Sequence, residues 1–190
     1  MKIVILAWGS LVWDPRDLKT VATFKPNGPL LPVEFCRISK DRRLTLAIDE
    51  DFGAVCTAYT APSAFDDLDQ AIENLRLREE THAREVGYVE PASDRESESA
   101  AQRHPRALAT IAAWTASSGY DAAIWTALKS NFDEWGKGGE AFSVTAAIRY
   151  LEGLEVEDAA RFETALAYIR KAPAEVETPV RDEVAKRWPA

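Results

Sequence analysis

Histidine and cysteine are scarce in this chain, with two of each among 190 residues. His82 and His104 have no cysteine, histidine or carboxylate partner at ligand spacing, which argues against a zinc site. Cys36 and Cys56 lack C-x-x-C spacing and sit in strand-like runs, so they read as small buried apolar residues in a reducing compartment. No G-x-S-x-G elbow is present, and Ser10 has no evident histidine base. Gly138-Gly139 lacks the context of a phosphate-binding or dinucleotide-binding loop. A hydrolytic triad, a nucleotide site and a metal enzyme are therefore disfavoured, and no metal or cofactor is expected.

Positive charge is also short: 23 Lys and Arg face 31 Asp and Glu, a net charge of −8. That balance argues against nucleic acid and anionic membrane as partners. The acidic residues are spread along the chain and read as a solvated surface. No apolar run approaches the roughly 20 residues of a membrane span. The start, Met1-Lys2-Ile3, is too short for the apolar core of a signal peptide. A cytoplasmic location is the expectation. Repeats and low-complexity tracts are missing as well.

What remains is a globular composition, 46% apolar and 28% charged, long enough for one domain spanning residues 1–190. Ile3 to Ala7 reads as a buried strand. Val33 to Ile38, Leu44 to Ile48 and Ala54 to Thr60 follow as strands, the second with period-two alternation. Phe65, Leu68, Ile72 and Leu75 then mark one face of a helix, with Ser63 and Asp66 as its start signal. Val86 to Val89 reads as a short strand. Ala92 to Arg106 is a polar surface loop, in part helical. Leu108 to Thr115 and Ala122 to Leu128 are further strand candidates, and Asn131 to Gly139 is a loop around Trp135. Helices are expected from Ser143 to about Glu152, from about Val156 to Lys171, and from Val180 to Trp188. This order lacks the regular alternation of a doubly wound sheet. The expected class is α+β, a mixed sheet or small barrel with helices packed around it.

Two places have chemical interest. The first is AWGSLVWDP, where the opening strand ends in Gly9 and Ser10 between Trp8 and Trp13. Gly9 can simply be a tight turn and Ser10 a helix cap. The functional alternative is that strand-end amides from Trp8 to Leu11 catch an anion such as a substrate carboxylate, with the tryptophans walling a pocket. The second is the helix from Phe65. Fourteen residues on, close to four turns, Glu79 falls on the Leu68/Ile72/Leu75 face, and Glu80 lies about 100° away. A buried carboxylate is costly unless paired or used. Either the helix ends before Glu79, or Glu79 pairs with an arginine such as Arg76 or Arg78, or it titrates in the range of a general base.

AWGSLVWDP resembles the GYGSL-x-W-x-P opening of the γ-glutamyl cyclotransferase-like superfamily, nearest to its ChaC branch. LRLREETHAREVGYVEP resembles that family's second signature, an L-x-x-R-E segment followed shortly by G-x-Y or G-Y. The similarity covers about the first 90 residues. It implies a small closed barrel of mixed strands ringed by helices. It implies Glu79 as the catalytic acid/base, Trp8, Gly9, Ser10 and Leu11 as the substrate-binding loop, and Tyr88 as a pocket residue. The implied partner is a small γ-glutamyl compound, with no cofactor. The implied reaction is intramolecular aminolysis of the γ-glutamyl group, releasing 5-oxoproline. Trp8 stands where the family has tyrosine, and the spacing from Glu79 to Tyr88 is longer than the family's.

Two other classes of function stay open. One is a non-catalytic binding protein for a small amino-acid derivative on the same fold. The other is an interaction module that docks a partner through the Trp135 loop or the C-terminal helices.

Overall fold

The apolar run at the start of the chain forms β1 (Ile3–Ala7), with all five residues buried. A computed structural model describes residues 1–134 and 138–189; Trp135, central to the interaction-module reading, lies outside the described residues. The later strands are β2 (Leu30–Ile38), β3 (Leu44–Ile48), β4 (Ala54–Thr57), β5 (Tyr59–Pro62), β6 (Val86–Glu90), β7 (Arg95–Glu96) and β8 (Ala122–Thr126). The helices are α1 (Leu68–Glu79), α2 (Glu98–Arg103), α3 (Pro105–Ser118), α4 (Val144–Glu157), α5 (Ala159–Arg170) and α6 (Pro179–Arg187). The elements group into two compact units, Met1–Leu31 with Thr57–Leu128, and Pro32–Cys56 with Lys129–Ala190. Among the described residues no helix is long and apolar enough to cross a membrane.

The first unit is built on a five-stranded sheet of order β5-β1-β8-β6-β7. β1 lies between β5, antiparallel, and β8, parallel. A strand flanked on both sides and covered on both faces needs an unbroken apolar run, and IVILA supplies one. Helix α1 covers one face. Leu68, Ala71 and Leu75 pack there against Ile3, Ile5, Ala7, Leu11 and Ile124. The helix starts later than the spacing predicts. Asp67 is its cap, accepting the Gln70 amide at 2.9 Å, while Ser63 accepts the amide of Phe65 instead. It ends at Glu79, because Glu80 turns left-handed with φ 50° and its amide closes back on Arg76 and Leu77.

Two expectations are corrected. The strand expected from Leu108 to Thr115 is the middle of helix α3. Pro105 occupies its first turn and Gly119 ends it in a left-handed conformation, φ 81°. Its buried residues Ala107, Leu108, Ile111 and Thr115 follow a helical period, not alternation. The closed barrel is not present either. The chain is α+β with two separate sheets, the second of order β3-β2-β4. The first sheet stays open because its two edges, β5 and β7, do not pair with each other. The β7 edge is only two residues long, both exposed. The polar stretch around it, expected as a surface loop in part helical, carries helix α2, capped by Ser97.

In the second unit Ser143 caps α4 as expected, accepting the Ala146 amide at 3.0 Å, but the helix continues to Glu157. Asp158 ends it and caps α5, so α5 begins at Ala159 and not near Val156. Cys36 and Cys56 are both buried free thiols, and burial pushes both thiol pKa values up. Glu34 on β2 is wholly buried. One carboxylate oxygen accepts the Phe35 amide at 2.7 Å and the other the Val180 amide at 3.2 Å, in the first turn of α6. Burial raises its pKa, against opposing hydrogen bonds from Thr178, Phe35 and Val180. Glu34 thus fastens α6 to its own unit through two backbone donors. Glu34→Ala orphans both. Each buried unsatisfied donor costs about 1–3 kcal/mol, so urea unfolding of the variant is expected to show a markedly lower midpoint. An unchanged midpoint would mean that the carboxylate contributes nothing to the docking of α6.

Candidate functional site

The end of β1 is where the backbone leaves the sheet. Gly9 precedes a single turn of 3₁₀-helix, Ser10–Val12, and its conformation (φ −124°, ψ −143°) carries the chain out of the strand. Ser10 does not cap this turn with its side chain. Val12 and Trp13 donate to the Gly9 and Ser10 carbonyls at 3.0 and 3.2 Å, and Asp14 donates to Ser10 at 2.8 Å. Among the described residues the amides of Gly9, Ser10 and Leu11 donate no hydrogen bond. Three consecutive free amides at a strand-end turn form the kind of concavity that accepts an anion. Trp8 and Leu11 are buried and hold the turn down, Leu11 on the same core cluster as α1.

Glu79 and Glu80 part at the end of α1. The Glu80 side chain is 76% exposed and pairs with Arg16 at 3.3 Å. The Glu79 side chain is 18% exposed, so the helix phase separates the two carboxylates as expected. The phase is nevertheless shifted from the simple reading. The centre of the buried stripe runs Leu68, Ala71, Leu75, Arg78, with Glu79 on its flank. Arg78, whose side chain is 5% exposed, donates to Glu79 Oε1 at 2.7 Å. Its other terminal nitrogen donates to the Asp14 carbonyl and reaches Ser10 Oγ at 3.5 Å. Its Nε is buried with no hydrogen-bond partner. The pairing of Glu79 with Arg78 that spacing leaves open is therefore present, and the same arginine also links Glu79 to the turn.

Arg78 is the residue that sequence reasoning missed as part of a site. The signal was present, because a charged residue stands three positions after Leu75 and seven after Ala71, on the apolar stripe. Burial raises the Glu79 pKa above its ordinary value of 4.5, while the charge and hydrogen bond of Arg78 and the charge of Arg16 partly offset the rise. A mostly buried carboxylate with raised pKa, still open to solvent on one side, has the properties of a general base.

Tyr88 lies on β6 opposite Ile124 of β8 and is half-buried against the same core cluster as Leu11. The Arg95 guanidinium sits 5.5 Å from its ring centroid. Among the described residues no hydrogen bond joins Tyr88 to Glu79. The glycine before it has a packing reason of its own: a Cβ on Gly87 would lie 2.4 Å from the Trp125 ring. Glu79 and the loop are joined directly through Arg78, whereas Tyr88 lies beside Arg95, which pairs with Asp69 at the other end of α1. Trp8 to Leu11 do not line the cavity found in the second unit. A cavity of about 400 Å³ lies in the second unit, between α4 and α6, lined by Val144, Ile148 and Pro179 among others. Two basic residues of its rim pair with acidic ones, Arg187 with Glu152 and Lys186 with Glu183. Among the described residues no group of three or more His, Cys, Asp or Glu is placed to hold a metal ion.

Comparison of the chain with family models, with curated proteins and with solved structures gives no match.

The raised pKa of Glu79 has a thermodynamic consequence. A carboxyl that holds its proton more tightly folded than unfolded contributes stability that is full below the unfolded value of 4.5 and lost as pH rises through the folded midpoint. Glu79→Gln removes that titration. The stability difference between variant and wild type, read from denaturant midpoints, is expected to move in the variant's favour as pH rises from 4.5 to neutrality. A difference that does not vary with pH contradicts the assignment.

Proposed function

We propose that the chain is an enzyme of the γ-glutamyl cyclotransferase type, acting on a small γ-glutamyl amine or peptide. One observation carries the reading: Arg78 holds Glu79 at 2.7 Å and reaches the turn whose three amides are free. This supports a base and an anion-binding turn within one site. In the proposed reaction the substrate carboxylate accepts the Gly9, Ser10 and Leu11 amides. Glu79 takes a proton from the α-ammonium, and the freed amine attacks the γ-carbonyl of its own chain. A carbon–nitrogen bond forms, closing the five-membered ring. Glu79 returns that proton to the departing nitrogen and the original γ-amide bond breaks; the regenerated carboxylate then takes the second proton from the ring nitrogen and passes it to the released amine, so that 5-oxoproline and an ammonium leave. Atoms and charge balance with no cofactor. One carboxylate serving as base and then acid is worth roughly 10²–10⁴-fold, and holding amine against carbonyl supplies a further large factor. Trp8 and Tyr88 are proposed to border the substrate. The same reading takes the protein as cytoplasmic, with neither nucleic acid nor membrane as a partner.

A second reading rests on the same ion pair. A carboxylate already engaged by a guanidinium can act as a recognition group for a ligand's amine with no proton transfer. The chain is then a binding protein for an amino-acid derivative.

The test is a screen of γ-glutamyl compounds, glutathione included, with 5-oxoproline measured by mass spectrometry. At least one compound is expected to yield 5-oxoproline. Glu79→Gln is expected to lower its rate by on the order of 10²–10⁴ with ligand affinity little changed, and Glu80→Gln to stay near wild type. A Glu79→Gln protein that turns over at the wild-type rate removes Glu79 from the mechanism. Tight binding of a compound with no 5-oxoproline from any of them favours the second reading.

A further inference from the structure

Arg78 has a position that ordinary helix chemistry does not call for. A basic residue in the last turn of a helix complements the helix dipole when it sits at the surface. Arg78 instead lies in the apolar stripe of α1, where taking a guanidinium out of water is expensive unless it is fully paired. Its two terminal nitrogens are used in different directions. One meets Glu79 at 2.7 Å, and the other meets the Asp14 carbonyl and comes to 3.5 Å from Ser10 Oγ. Asp14 and Ser10 bracket the 3₁₀ turn, and the Asp14 amide itself donates to Ser10. Fixing those two residues fixes the segment between them.

We propose that Arg78 is a positioning residue: its buried guanidinium clamps Glu79 and the Ser10–Asp14 turn together, so that the carboxylate and the free amides keep one relative geometry. The inference deepens the proposed reaction and rests on it for its catalytic meaning. The clamp itself is a property of the folded chain. Lysine cannot replace it, because a single ammonium on a flexible stem cannot span Glu79 and the Asp14 carbonyl in two fixed directions. Its loss therefore acts on geometry as well as on charge. A displacement of about 1 Å at a reacting group can cost on the order of 10²-fold in rate.

The charged groups facing Glu79 are few. Arg78 on its own helix is the nearest, and Arg16 on the loop after the turn acts more weakly. Arg16 is itself shared between Asp14 and Glu80, at 3.5 and 3.3 Å. On the adjoining strands the titratable side chains on this cluster are the phenols of Tyr59 and Tyr88. Removing Arg78 takes away the dominant counter-charge and leaves burial to raise the Glu79 midpoint further.

The experiment compares wild type, Arg78→Lys and Arg78→Met. Arg76→Gln serves as control, since Arg76 bonds Glu73 and the Thr81 carbonyl, outside the site. Two readouts need no substrate: the titration midpoint of the Glu79 carboxyl carbon by NMR, and hydrogen exchange of the Val12, Trp13 and Asp14 amides. Arg78→Met is expected to raise the midpoint and to speed exchange of those three amides at least several-fold. Arg78→Lys is expected to keep the midpoint near wild type but to speed exchange, because it restores charge and not geometry. Arg76→Gln is expected to change neither. Where a turnover substrate is in hand, kcat is expected to fall by on the order of 10²-fold in Arg78→Lys. If Arg78→Met does not fold, Arg78→Lys alone decides through exchange. Wild-type exchange rates in every folded Arg78 variant overturn the clamp. A wild-type protein inert toward all γ-glutamyl compounds overturns the proposed reaction and leaves these two readouts standing.

Discussion

A guanidinium set into the apolar face of a helix must find partners within reach, and Arg78 finds them in two places. Glu79 beside it supplies a carboxylate, and the turn after β1 supplies a carbonyl and a hydroxyl. The first contact is local to α1. The second reaches back to the opening of the chain. Much of the site depends on this one group. Without it Glu79 is a carboxylate with no close counter-charge at the end of α1, and the turn is held by Trp8, Leu11 and its own hydrogen bonds. The balance of forces on Glu79 follows. Burial raises its pKa, the arginine lowers it, and burial prevails. Breaking a buried pair by removing one partner is far more costly than replacing both, so the two residues constrain each other.

The chain contains a second buried carboxylate, and the contrast between the two separates structure from candidate chemistry. Glu34 has no exposed surface, and its oxygens are taken by the Phe35 and Val180 amides. Nothing in solvent can reach it, and its place at the start of α6 accounts for it fully. Glu79 keeps part of its side chain open and stands near amides that have no acceptor. Both have raised pKa values, and only one has access and adjacent free donors. The same test applies to the cavity between α4 and α6. It has volume, but the basic side chains on its rim, Arg149, Lys186 and Arg187, are already paired with acidic ones.

Local signals in the sequence carried much of this fold. The buried run of β1, the existence of β3 (though its burial does not alternate), the short β6 and the Ser143 cap of α4 are all visible in residue order, because each depends on neighbours a few positions apart. Helix α3 was misread as a strand although Pro105 and Gly119 bracket it. Its run of Ala, Leu, Thr and Ile satisfies a short apolar window as well as a helical one. Closure of the sheet was not legible. It depends on whether distant edges such as β5 and β7 meet, and neither edge encodes that. At the site, helix phase separated Glu79 from Glu80. It did not find Arg78 at the centre of the stripe, because patterning counts apolar positions and passes over a charge that is buried through its partners. Nor does periodicity show that the partner of a helix residue is a turn at the start of the chain.

The central claim is that the turn after β1 and Glu79 form one binding site for a γ-glutamyl group. The most direct test is an amide and carboxyl NMR titration of the wild-type protein with glutathione and, separately, with 5-oxoproline. The account predicts that the largest shifts fall on the Gly9, Ser10 and Leu11 amides and on the Glu79 carboxyl, with Arg78 Nε–H following them. Shifts concentrated on α4 and α6, or none at millimolar ligand, would contradict it.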